Sequence, residues 1–122
     1  MDKVSLIENL QSIANRHGIK KFVKISEGDK YCLANGQDVY INKSYLIGGN
    51  ELHLGIYSDD QLMIASFFHE LGHIVDSKNN KVNSELTAWI IGFQLAKSYG
   101  FNFNADVYLW ALEQLATYEN SY

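Results

Sequence analysis

An α+β domain is what the sequence predicts, and three observations carry that prediction. Apolar residues recur with a helical period at the start of the chain, alternate with a period near two through its middle, and return to the helical period from Tyr57 onward. Turn chemistry gathers in the alternating stretch, at Glu27-Gly28-Asp29, Asn35-Gly36 and Gly48-Gly49-Asn50. A chain of 122 residues, 47% of them hydrophobic, suits one domain with a real core. The expected order is an N-terminal helix, a small three- or four-stranded, mostly antiparallel sheet, and then three helices.

Val4, Leu6, Ile7, Leu10, Ile13 and Ala14 mark the first helix, from Val4 to His17, and Gly18 stands where a left-handed terminating residue is wanted. Ile19 to Ser26 and the run Tyr31-Cys32-Leu33-Ala34 read as two antiparallel strands around the Gly28 turn. Asn35-Gly36 is a strong hairpin signal, and Asp38 to Ile47, rich in Tyr, Val and Ile, reads as a third strand after it. Glu51 to Tyr57 alternates Leu52, Leu54 and Ile56 with Glu51, His53 and Gly55, the pattern of a half-exposed fourth strand or rim. Ser58 or Asp59 can cap a helix from Asp60 to about Ser77. A polar loop, Ser77 to Lys81, leads to Asn83 or Ser84 as the cap of a helix running to Gly100, and Asn104 can cap a last helix, Ala105 to Glu119.

Composition narrows the function classes. A single cysteine, Cys32, cannot make an internal disulfide, which favours a reducing, cytoplasmic setting. No apolar run approaches the roughly 20 residues that span a bilayer, and Met1 to Glu8 lacks the apolar centre of a signal peptide, so no membrane is expected. With 10 Lys+Arg against 14 Asp+Glu there is no global basic field, and no nucleic acid is expected, a small patch such as Lys20, Lys21 and Lys24 aside.

The chemistry concentrates in Phe67-Phe68-His69-Glu70-Leu71-Gly72-His73-Ile74-Val75-Asp76. On a helix, His69 and His73 are one turn apart and about 40° apart in projection, so both imidazoles can reach one ion. Glu70 lies about 100° round from His69, beside the ion rather than on it, where a carboxylate can take a proton from water and pass it to a leaving amine. Leu62, Ala65, Ser66, His73 and Asp76 fall within roughly 60° of His69, while Ile64, Phe67, Leu71 and Val75 lie near the opposite side. The expectation is a helix with a core face and a ligand face. Gly72, at the margin of the ligand face, costs about 1 kcal/mol relative to Ala within a helix, which points to a close neighbour over the site.

Two histidines do not hold a catalytic zinc alone, and a third protein ligand is expected. The best placed is Glu85, in the first turn of the next helix, where Ala88, Gly92 and Ala96 share its face and permit close approach. Its ordinary alternative is an acidic residue that complements the helix dipole. Asp76 is the rival, one turn beyond His73, able to ligate or to receive an imidazole N–H. His53 could face a substrate rim; His17 reads as favourable charge at a helix end, Cys32 as a small packing residue, and Trp89, Phe93 and Trp110 as core. Eight tyrosines leave open a phenol as an auxiliary oxyanion donor.

Phe68-His69-Glu70-Leu71-Gly72-His73 followed by Glu85-Leu86-Thr87-Ala88 resembles the zincin metallopeptidases, and within them the small intracellular ImmA/IrrE family associated with prophages and mobile elements. The resemblance spans Tyr57 to Tyr99. It implies a minimal zincin-like fold, Zn2+ held by His69, His73 and Glu85, Glu70 as general base, and a protein or peptide substrate such as a transcriptional regulator. Two function classes follow: a zinc-dependent peptidase, or a metal-binding but non-hydrolytic zincin-fold module for regulation or protein interaction. An exposed edge at Glu51 to Tyr57 is the expected seat for an extended substrate.

Overall fold

Asp2 opens the first helix: its carboxylate accepts from the Ser5 N–H at 2.8 Å, at the head of α1 (Lys3–Arg16). The computed structural model describes residues 2–25, 29–32, 38–41, 44–79 and 84–119, and the side chains of residues 2–25, 44–77 and 84–117. The N-terminal helix buries Leu6, Leu10, Ile13 and Ala14, and Gly18 at φ +90° turns the chain away from it. Five strands follow, β1 (Lys21–Ile25), β2 (Asp29–Cys32), β3 (Asp38–Ile41), β4 (Tyr45–Ile47) and β5 (Glu51–Gly55). Three helices complete the order, α2 (Asp60–Asn79), α3 (Glu85–Ser98) and α4 (Ala105–Glu119). The architecture is α+β, with a small mixed sheet beside the helices.

The pairing of strands differs from the expectation in three ways. β1 does not pair antiparallel with β2; it lies parallel to β5, Phe22 beside Leu52 and Lys24 beside Leu54, in a sheet ordered β1-β5-β4. β2 pairs antiparallel with β3, as the Asn35-Gly36 hairpin signal predicts, in a two-stranded ribbon of its own. The expected third strand divides into β3 and β4, which belong to different sheets. Glu51 to Tyr57 is also no edge: the strand within it, β5, is the central strand, with β4 antiparallel to it across the Gly48-Gly49-Asn50 turn. The cause is burial of the strand's inner face. Leu52 and Leu54, both fully buried, lie under α2, and Phe22 of β1 reaches Phe67 of α2 with ring centroids 6.4 Å apart. A local turn such as Glu27-Gly28-Asp29 carries no information about that long-range choice. The expected packing of Cys32 falls outside the described side chains.

α2 is the axis of the molecule. It packs against α1, β5, α3 and α4, and Leu62 through His69 are all buried. The expected division into a core face and a ligand face is therefore corrected: the ligand face is covered too, by α3. Helix ends follow their caps. Asp59 accepts from Leu62 N–H, Ser84 from Thr87 N–H and Asn104 from Val107 N–H. α2 continues two residues past the expected end, to Asn79. No helix among the described residues is long and apolar enough to cross a membrane.

Candidate metal centre

Two glycines let α2 and α3 meet backbone to backbone. A Cβ on Gly72 would stand 2.1 Å from the Ala88 carbonyl oxygen, and one on Gly92 would stand 2.5 Å from that of Phe68. Gly72 opposite Ala88 and Phe68 opposite Gly92 form an antiparallel register, one chain number rising as the other falls. Continuing that register toward the loop sets the first residue of α3, Glu85, level with Val75, two residues beyond His73, and its side chain reaches both histidines of α2. Ser84 fixes the start of α3 by accepting from Thr87 N–H at 3.0 Å.

The result is a convergent cluster. Glu85 Oε2 lies 2.8 Å from His69 Nε2 and 3.1 Å from His73 Nε2, and one donor atom from each of the three residues lies within 4.8 Å of the others. Their exposure runs from 9% of the side chain for His69 to 31% for Glu85, so the cluster is sheltered with one open side. Two imidazoles and a carboxylate are a recognised donor set for Zn2+. Bonds of about 2.0–2.1 Å in a tetrahedron put neighbouring donors about 3.3 Å apart, so the two His–Glu pairs need to open by a few tenths of an ångström, while the two imidazole nitrogens, within 4.8 Å of one another, settle to the same spacing. The residues fit the ion.

The electrostatics agree. Hydrogen bonds from His69, then His73, hold the Glu85 carboxyl down to about 2, so it is an anion across the working range. Burial lowers His69 from its ordinary value, favouring the neutral ring that a metal requires. Glu70 behaves oppositely. Burial pushes it up to about 7, the region where a general base is most effective, with the Glu85 charge adding in the same direction and His73 opposing.

Glu70 stands where two cavities meet. One, of about 390 Å3, is lined by Leu46, Gly48, Gly49, Glu70, His73, Ile74 and Ser77, between β4 and the C-terminal half of α2. The other, of about 40 Å3, is lined by Ser44, Tyr57, Ser66, His69, Glu70, Trp89, Trp110 and Gln114.

The remaining expected positions sort clearly. Asp76 is 1% exposed and is not part of the cluster, so it is not a member of the donor set. His53 pairs with Glu51 at 2.6 Å and stacks on Tyr45, and it lines neither cavity at Glu70. His17 bonds the Tyr99 hydroxyl at 2.9 Å, joining the ends of α1 and α3. Sequence reasoning assigned Trp89 and Trp110 to the core; both are buried, yet both also wall the smaller cavity, and Trp89 stacks on His69 with centroids 4.1 Å apart. The one available signal was Trp89 sharing a helix face with Glu85. Tyr57 is the tyrosine found beside His69 and Glu70, its hydroxyl bonded to Ser66 and pushed up to about 12 by burial, hence a standing O–H donor.

Comparison with known protein families, with curated proteins and with solved structures finds no match to this chain.

Proposed function

We propose that this chain is a zinc-dependent metallopeptidase that hydrolyses a protein or peptide substrate in the cytoplasm, with His69, His73 and Glu85 as metal ligands and Glu70 as general base. The observation that carries this reading is the convergence of three donor atoms from α2 and α3, within 4.8 Å, beside a fourth residue that lines the open cavities but is not in the donor set. Zn2+, when bound, supplies Lewis-acid polarisation and water activation. The chain does the rest. Glu70 accepts the proton of the attacking water and delivers it to the leaving amine. His69 is held in place by Trp89 stacked on its face. Glu85 stays anionic and anchors the ligand geometry from the second helix.

Support for an extended substrate comes from β4. It is an edge of the three-stranded sheet, Leu46 turns inward to line the 390 Å3 cavity, and Tyr45 and Ile47 are exposed. Main-chain pairing along β4 lays a peptide across Glu70. The seat expected on Glu51 to Tyr57 moves one strand outward. The resemblance to ImmA/IrrE proteins adds a transcriptional regulator as the substrate class.

The experiment is hydrolysis of an unstructured protein such as casein by the zinc-loaded chain, alongside Glu70→Gln. Cleavage by the wild type, with loss of at least a hundredfold in the variant at unchanged zinc content, supports a peptidase. Zinc binding with no cleavage of casein or of a candidate regulator supports the non-hydrolytic module instead.

A further inference from the structure

The two faces of β4 differ. Leu46 pairs with the fully buried Leu52 of β5, packs on the core and lines the cavity of about 390 Å3 that also holds Glu70. Tyr45 and Ile47, its neighbours in the strand, point the other way and are exposed. From α2, Ile74 supplies a second apolar wall, and Gly48 and Gly49 of the turn bring no side chain to it. A Cβ added at Gly49 meets nothing within 4 Å, so the space beside it is open. The polar side chains of the wall are already engaged. Ser77 donates its hydroxyl to the His73 carbonyl at 2.8 Å, His73 Nε2 lies 3.1 Å from Glu85, and Glu70 is the proposed base. What the remaining side chains offer a ligand is apolar surface, next to the reacting centre.

We propose that this cavity binds the apolar side chain of a substrate residue flanking the cleaved bond, with Leu46 and Ile74 as specificity-determining residues. The proposal rests on the metallopeptidase reading and names the substrate class of the same site: an extended segment with a bulky aliphatic or aromatic residue at the bond. A peptide paired to β4 alternates its side chains. One that points inward beside Leu46 enters the cavity, while the residues before and after it stand out beside Tyr45 and Ile47. The volume lies in the range of small-ligand pockets, about 300–1,000 Å3, and admits a leucine or phenylalanine side chain. An acidic side chain would be pressed against the Glu70 carboxylate, with no lysine or arginine among the described lining residues to offset it.

The test digests casein with the full zinc-loaded chain and sequences the new termini by mass spectrometry. The expected result is enrichment of Leu, Met or Phe at one position flanking the cleaved bond. In peptides built around a mapped bond, replacing that residue by Ala or Asp lowers kcat/KM by at least about tenfold. Leu46→Phe, which narrows the cavity, lowers the ratio of kcat/KM for Phe over Ala peptides, and Leu46→Ala, which widens it, raises the preference for Phe over Leu; a merely structural residue would move all substrates alike. Binding is read separately. Acetyl-Gly-Gly-Phe-Gly-Gly-amide, added to zinc-loaded Glu70→Gln labelled at its Ile and Leu methyl groups, shifts the Leu46 and Ile74 signals saturably, and the same peptide with Asp for Phe does not. Cleavage with no apolar bias, or with a bias that both Leu46 variants leave unchanged, overturns the proposal and leaves the peptidase reading standing. Methyl shifts without cleavage of any protein support the pocket and overturn the peptidase reading, and the lack of both overturns the two together. The wild-type cleavage profile decides the matter even if a variant fails to fold.

Discussion

Gly72 faces the Ala88 carbonyl so closely that a methyl group in place of its hydrogen would lie 2.1 Å from the oxygen. That approach sets the distance between α2 and α3, and with it the distance between the histidines and Glu85. Gly72→Ala gains about 1 kcal/mol of helix propensity but forces two backbones apart, a net loss of roughly 1–3 kcal/mol. Denaturant unfolding measures it. Zinc affinity should fall in the same variant, and in Gly92→Ala, whereas Gly49→Ala, with nothing within 4 Å of the added carbon, should leave stability nearly unchanged.

Glu85→Ala should reduce retained zinc from one per chain to none after dialysis, as should His69→Ala, because the two remaining ligands cannot hold the ion. Asp76→Asn should retain zinc, since Asp76 lies outside the cluster. Elemental analysis of the three variants distinguishes Glu85 from its rival.

Zinc should stabilise the fold. Free zinc at a hundred times its Kd adds about 2.7 kcal/mol, a rise in Tm of roughly 10 °C for a domain of this size. Calorimetry with and without a chelator reads this, and Glu85→Ala should show no rise.

In zinc-free protein the pH dependence has a definite sign. Glu70 has a folded value near 7 against 4.5 for the free group, so the folded state binds the extra proton. Its contribution is fully present below about pH 4.5 and is lost as pH rises through 7. Glu70→Gln removes this dependence, so its stability relative to the wild type should increase between those limits, by about 3 kcal/mol at most. Glu85 acts oppositely: its stabilisation is present above its ordinary value and is lost as pH falls toward 2.

Ser84→Ala removes the cap from the helix that begins with Glu85 and should cost about 1 kcal/mol in thermal unfolding.

Much of this arrangement was legible before folding was considered. Ser84, Asp59 and Asn104 announce helix starts because a cap is a local hydrogen bond. The spacing of His69 and His73 fixes their common face by helix geometry alone. Glu85 was reachable because a short polar connection makes consecutive helices neighbours, and small residues at 88, 92 and 96 let them close. The sheet was harder, since β1 finds β5 across intervening strands and only the burial of Phe22, Leu52 and Leu54 decides it. The covering of α2 was half visible: Leu62, Met63, Ile64, Phe67, Phe68 and Leu71 spread round the whole helix, a pattern that belongs to a buried one. The stack of Trp89 on His69 and the wall made by Trp110 depend on how α3 and α4 come together, which no local pattern encodes.

The most direct test of the account is a crystal of the zinc-loaded chain measured at the zinc absorption edge. The account predicts one anomalous peak about 2.0–2.2 Å from His69 Nε2, His73 Nε2 and a Glu85 carboxylate oxygen, with Glu70 unliganded beside it. A peak at any other set of side chains, or none at this one, would contradict it.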